Sequence, residues 1–74
     1  MDNRVAEFRR KKLLSQAKLA NLAGISRPYL SAIERGNQRV ISNIVMFKIS
    51  SALQEPIEEV FFALPVVSTQ LPQK

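Results

Sequence analysis

The stretch Ser15–Gly36, SQAKLANLAGISRPYLSAIERG, limits what this chain can fold into more than any other part of it. Apolar residues recur there at helical spacing, with Leu19, Ala20 and Ala23 in a first segment and Leu30 and Ile33 in a second. Gly24 falls between the two, where a helix ends on a residue that tolerates a left-handed backbone. Ser15 and Ser26 each stand just before a segment, where a hydroxyl accepts an otherwise orphaned backbone N–H. Pro28 fits the second helix because it lies in the first turn, where no intrahelical N–H is lost. The pattern predicts two short helices joined by a tight turn.

Three further helices are predicted around this pair. Asn3 or Asp2 caps a first helix that runs to about Lys12, with Val5 and Phe8 inward and Ala6 nearby. Arg9, Arg10, Lys11 and Lys12 follow as a basic run, either solvated charges at a helix C-terminus or phosphate contacts. Leu13 and Leu14 turn the chain into the second helix, with Leu14 buried. Ser42 caps a fourth helix from Asn43 to about Leu53. Ile44, Val45, Met46, Phe47, Ile49, Ala52 and Leu53 make that helix apolar on most sides, so it is assigned to the core. Pro56 opens a fifth helix, Ile57 to about Ala63, whose N-terminus Glu58 and Glu59 complement. Val60, Phe61 and Phe62 in a row exceed what one helix face can bury, so Phe61 or Phe62 projects into a subunit interface. The expected fold is all-α with five helices over residues 1–63. Residues 64–74 form a tail in which Val66, Val67, Ser68 and Thr69 have β character.

Composition excludes several classes of chemistry. Seventy-four residues make one small domain, and Cys and His are both absent. That removes disulfides, thiol nucleophiles, the usual zinc ligands and the commonest general base. Glu34 is the one acid in the Ser15–Gly36 unit, and Asp2, Glu7, Glu55, Glu58 and Glu59 show no spacing suited to a metal or an acid–base pair. No catalytic residue, metal or cofactor is therefore assigned. The N-terminus has no long apolar run, so neither a signal peptide nor a membrane span is expected and the chain reads as cytoplasmic. Residues 1–49 carry ten Lys and Arg against three acids, a net +7, while residues 50–74 carry one Lys against three Glu, a net −2. One face is thus suited to a polyanion and another to something else.

Helix, glycine turn, helix is the helix-turn-helix pattern, whose second helix enters the major groove of DNA. Ser15-Gln16, Leu19-Ala20, Gly24, Ser26-Arg27 and Ile33-Glu34-Arg35-Gly36 also resemble the Cro/C1-type (XRE) helix-turn-helix of phage repressors and small bacterial regulators. The resemblance runs from about Arg4 to Phe62 and implies a lambda-repressor-like DNA-binding domain. It implies a partly buried bridge between Arg9 and Glu34, tying the first helix to the third. It also implies that Gln16 hydrogen-bonds a DNA phosphate, and that the loop Asn37–Ile41 and the start of the fourth helix grip the backbone.

The second and third helices lack an acid in their first turns, which leaves the N–H groups and positive dipole ends that a phosphate uses. These helix starts and the resemblance together imply phosphate contacts from Ser15, Gln16, Lys18, Asn37, Arg39 and Asn43, with Gln16 and the loop residues resting on the resemblance. With the third helix in the groove, Arg27, Pro28, Ser31, Ala32 and Arg35 are exposed to bases and Tyr29 lies toward the rim. Arg27 is the foremost reader, since its planar fork matches guanine O6 and N7 at about 1–3 kcal/mol of discrimination. Small regulators of the family often dimerise through the last helix and a tail strand, which points to Phe61, Phe62, Val66, Val67 and Thr69 here.

The function expected is a homodimeric regulator, most simply a repressor, of a pseudo-palindromic operator whose half-sites are read ~34 Å apart. The alternatives are a restriction–modification controller protein, which the chain also resembles, or an antitoxin-like module whose apolar C-terminal end binds a second, regulatory protein.

Overall fold

The computed structural model describes residues 2–62. Five helices follow one another: α1 (Val5–Lys11), α2 (Gln16–Ala23), α3 (Arg27–Glu34), α4 (Asn43–Leu53) and α5 (Ile57–Phe61). The all-α architecture is the one expected, and no strand occurs among the described residues. The predicted tail residues Val66, Val67 and Thr69 lie outside them.

Local chemistry sets the helix ends. The hydroxyls of Ser15, Ser26 and Ser42 accept the backbone N–H groups of Lys18, Tyr29 and Val45 at 3.0, 3.2 and 3.2 Å. Each satisfies one of the donors that a helix start leaves unpaired. Asn3 does the same for α1, its Oδ1 accepting from the Val5 N–H at 3.0 Å. Gly24 ends α2 at φ +70°, the left-handed region that a glycine enters without strain. Two other residues take that conformation without being glycine, Leu13 and Gln54, both at φ +59°.

The core is built from Val5 and Phe8 of α1, Leu19, Ala20 and Ala23 of α2, Leu30 and Ile33 of α3, Met46, Ile49 and Leu53 of α4, and Val60 and Phe61 of α5. Ile41 joins them from the loop before α4, pinning that loop although it carries no regular structure. A backbone hydrogen bond of 2.7 Å from the Arg4 N–H to the Val60 carbonyl closes the start of α1 onto α5.

Two apolar assignments need correction. α4 is buried along one stripe only, formed by Met46, Ile49, Ser50 and Leu53, while Ile44 and Phe47 stand 68% and 66% exposed. The helix packs on α1, α2 and α5, which lie to one side of it, and nothing among the described residues covers the other side. Phe61 and Phe62 also divide, at 5% and 49% exposure, so Phe61 is a core residue and only Phe62 presents a ring outward. The hydroxyl of Ser50 is buried on the α4 stripe without a hydrogen-bond partner.

Candidate nucleic-acid interface

The turn between α2 and α3 places the first residues of both helices side by side. A shallow cleft of about 270 Å³ is lined by Gln16 from α2 and by Arg27, Pro28 and Ser31 from α3. An expected phosphate contact thus lies beside three expected base readers. The caps Ser15 and Ser26 spend one acceptor site each on the helix backbone, which leaves each hydroxyl its own proton.

Along α3, the inward positions are Leu30 and Ile33, both fully buried. Arg27 and Pro28 are exposed, Ser31 and Ala32 are half-buried, and Arg35 is exposed at the helix C-terminus. The Arg35 guanidinium donates to the Ser31 hydroxyl one turn earlier, so these two expected readers are paired with each other. Tyr29 is half-buried and packs against the core cluster, which places it at the rim of the surface. Asn37 and Arg39 are exposed in the loop, Lys18 on α2, and Asn43 at the first position of α4.

Charge is sorted in the same direction. Three of the five acids outside α3 are engaged by cations at the two ends of α1: Glu7 by Arg4 at 2.8 Å and Lys11 at 3.6 Å, Glu55 by Lys12 at 3.0 Å, and Glu59 by Arg4 at 3.5 Å. Three of the four residues of the basic run Arg9–Lys12 are committed to acids of the chain itself, Arg9 to Glu34 among them. Arg4, hydrogen-bonded to Glu7, holds the Glu7 carboxyl well below its ordinary value, at about 2. By contrast Arg10, Lys18, Arg27, Arg35, Arg39 and Lys48 have no ion-pair partner among the described residues. α2, α3 and α4 each start on a serine cap with no acid in the first turn, whereas α5 starts with Glu58 and Glu59. The acid-free starts of α2 and α3, which share the cleft, and the unmatched Arg27 that lines it suit a polyanion.

Glu34, the single acid within the unit, is neutralised in place. Its Oε2 accepts from Arg9 Nε at 2.6 Å and its Oε1 from Arg9 Nη2 at 3.2 Å, with the two side chains only 13% and 5% exposed. Arg9 also donates to the Leu14 carbonyl at 2.8 Å. Two contacts at this point were not legible in the sequence. Gln16 Nε2 donates to Glu34 Oε1 at 2.9 Å, and Asn3 Nδ2 donates to the Ile33 carbonyl at 2.8 Å. Both join residues far apart in the chain, and neither involves a pattern of spacing.

No group of three or more His, Cys, Asp or Glu side chains able to hold a metal occurs among the described residues. None of their helices is long and apolar enough to cross a membrane.

Fold and surface together define a helix-turn-helix domain of the kind that presents its second helix to a DNA groove. A family model described as helix-turn-helix matches residues 5–60, and the chain belongs to that family, the Cro/C1-type (XRE) helix-turn-helix regulators. Solved structures agree. The restriction–modification controller protein C.AhdI from Aeromonas hydrophila is 39% identical, with 76% of this chain and 83% of that one covered and a TM-score of 0.71. SinR, described as the master regulator for biofilm formation and solved in complex with DNA, is 34% identical over 74% of this chain and 87% of that one, also at 0.71. A chain of the SinR protein/SinI protein complex matches with the same identity and TM-score, again over 74% of this chain. This chain spans about half, 53%, of its length. Among curated proteins none matches the sequence.

Proposed function

We propose that the chain is a sequence-specific double-stranded DNA-binding transcriptional regulator, acting as a homodimeric repressor on a pseudo-palindromic operator. The observation that carries the reading is the cleft shared by Gln16, Arg27, Pro28 and Ser31, set among serine-capped, acid-free helix N-termini. A phosphate held at Gln16 fixes the register of α3, and Arg27 then reads a guanine edge while Ser31 and Ala32 meet neighbouring bases. Lys18, Asn37, Arg39 and Asn43 add backbone contacts around that point. Few of these side chains carry a base-specific pattern, so part of the selectivity comes from DNA shape. The relatives solved with DNA and as a controller protein support the same reading.

Phe62, half exposed at the end of α5, is the described residue assigned to the dimer interface, and Phe62→Glu should give monomers in sedimentation. An unchanged dimer would remove that assignment. The decisive experiment for the function is selection of sites from random duplex DNA by the purified chain. It should enrich an inverted repeat with half-site centres about 10 bp apart. The Arg27→Ala variant should lose discrimination at one base pair of each half-site and keep its salt-dependent affinity. Retention without enrichment, collapsing as salt rises, would leave only a general polyanion affinity.

A controller role in restriction–modification is the second reading, favoured by the likeness to C.AhdI. It shares the DNA-binding step and adds activation through contact with polymerase. Transcription from a promoter carrying the selected site, assayed with and without the chain, separates the two. The SinR/SinI complex likewise makes a protein partner a reasonable addition to either reading.

A further inference from the structure

We propose that Glu34 is a positioning residue for DNA binding: its carboxylate orients the Gln16 amide so that one N–H is held by the protein and the other is presented to a phosphate. The inference rests on the reading of Gln16 as a phosphate contact given above. A carboxylate paired with a guanidinium offers only acceptors, so the amide must turn its nitrogen, not its oxygen, toward Glu34. The 2.9 Å contact from Gln16 Nε2 to Glu34 Oε1 has that sense. Nε2 carries two hydrogens and Glu34 takes one. A phosphate is also acceptor-only, so it can meet the Gln16 side chain only through the second hydrogen on the same nitrogen. An unanchored glutamine at a helix start would have to freeze its side-chain rotamers and choose its amide face when DNA arrives. Here both are set beforehand.

Charge determines whether such sharing is tolerable. A bare carboxylate this close to the amide would repel the phosphate it is meant to help bind. Arg9, at 2.6 and 3.2 Å from the two carboxylate oxygens, cancels that charge. Its own position is fixed by the Leu14 carbonyl at 2.8 Å, in the turn that leads into α2. The row Leu14, Arg9, Glu34, Gln16 therefore ties the start of α2 to the end of α3. It sets the phosphate contact relative to the reading helix, so that backbone register and base register are coupled through a partly buried polar chain.

The test is a cycle of affinities for the duplex recovered by site selection. Gln16→Met is measured in the native chain and in a background in which Arg9→Met and Glu34→Met are combined. That background removes both charges together and leaves neither unpaired. In the native chain, loss of a charge-assisted contact should weaken binding about tenfold per half-site. In the background the same substitution should cost less than a third of that factor, because an unoriented amide has little to lose. An equal loss in both backgrounds would overturn the inference while keeping Gln16 as a phosphate contact. No loss in the native chain, with DNA still bound, would remove Gln16 from the phosphate set and the inference with it. Failure to enrich any duplex would instead refute the proposed function itself.

A second measurement does not depend on the background folding. In ¹⁵N-resolved NMR spectra of the native chain, the two Gln16 Nε2 protons should differ in exchange rate, one protected by Glu34. Added duplex should shift the other and leave the protected one in place. If DNA instead released the protected proton, Glu34 would be a competitor for the amide and not its guide.

Discussion

Replacing Glu34 by alanine should be among the most damaging single changes to this domain, and the geometry says by how much. The carboxylate accepts two hydrogen bonds from Arg9 and one from Gln16, and it is 5% exposed. Glu34→Ala leaves the Arg9 guanidinium, 13% exposed, with only the Leu14 carbonyl to satisfy it. Removing one partner of a buried pair costs about 3–5 kcal/mol. The single core of a chain this small supplies a comparable ~3–5 kcal/mol, so the variant should sit at or below the threshold of folding. At about 4–8 °C per kcal/mol, its melting temperature should fall by at least ~12 °C. The paired replacement Arg9→Met with Glu34→Met should behave differently. It gives up the attraction and the desolvation penalty together, and should remain within about 1 kcal/mol of the native chain or above it. Thermal and urea melts followed by circular dichroism at neutral pH measure both. If Glu34→Ala melted within a few degrees of the native chain, the bridge would not hold α1 to α3. If the double Met variant were as unstable as the single one, the penalty would come from losing specific pairing and not from a stranded charge.

Three further outcomes can be checked by melts of the same kind, the last of them repeated across acid pH. Leu13 is 92% exposed at φ +59°, so Leu13→Gly relieves a left-handed strain of about 1–2 kcal/mol against an added chain entropy of ~0.5–1 kcal/mol, and stability should rise slightly. A lower melting temperature would mean that the leucine side chain makes a stabilising contact in solution. Ser50→Ala removes a buried hydroxyl that has no partner and should stabilise by about 1 kcal/mol, where a drop would reveal a hidden hydrogen bond. Glu7 is held at about 2 by its hydrogen bond to Arg4, below its ordinary 4.5, so it binds protons less readily folded than unfolded. Its contribution is present above pH 4.5 and is lost as pH falls toward 2. The Glu7→Gln variant should therefore show a shallower acid loss over that window, and an unchanged slope would remove Glu7 as a contributor.

What the sequence revealed was the chemistry that acts within one helical turn. Ser15, Ser26 and Ser42 cap helices because a hydroxyl at that offset has a donor within reach whatever the rest of the chain does. Gly24 ends α2 for an equally local reason. The inward faces of α2 and α3 were legible because the partner of each apolar stripe is simply the remaining core. α4 was misjudged because periodicity reports what a helix can bury, not what surrounds it. Ile44 and Phe47 are as apolar as Met46 and Ile49, and only the placement of α1, α2 and α5 on one side separates them. Phe61 and Phe62 pose the same problem at adjacent positions.

Two of the polar contacts at the end of α3 were hidden for a different reason, while the Arg9–Glu34 bridge was implied by the family resemblance. Gln16 and Glu34 are 18 residues apart and Asn3 and Ile33 are 30 apart, and no repeat or composition links them. Their meeting follows only once the apolar stripes have set the three helices together. This order has a functional consequence. The hydrophobic core brings α1, α2 and α3 into contact without fixing their rotation to the accuracy that base recognition needs, since apolar packing tolerates small slides. The directional bonds converging on Ile33 and Glu34 from α2, α1 and the residues preceding α1 supply that accuracy. They do so at the end of α3 opposite Arg27, which leaves the proposed reading end outside this network. A variant that keeps the core but loses these bonds should stay folded and bind DNA with blurred register. This is why the double Met background tests recognition and not merely stability.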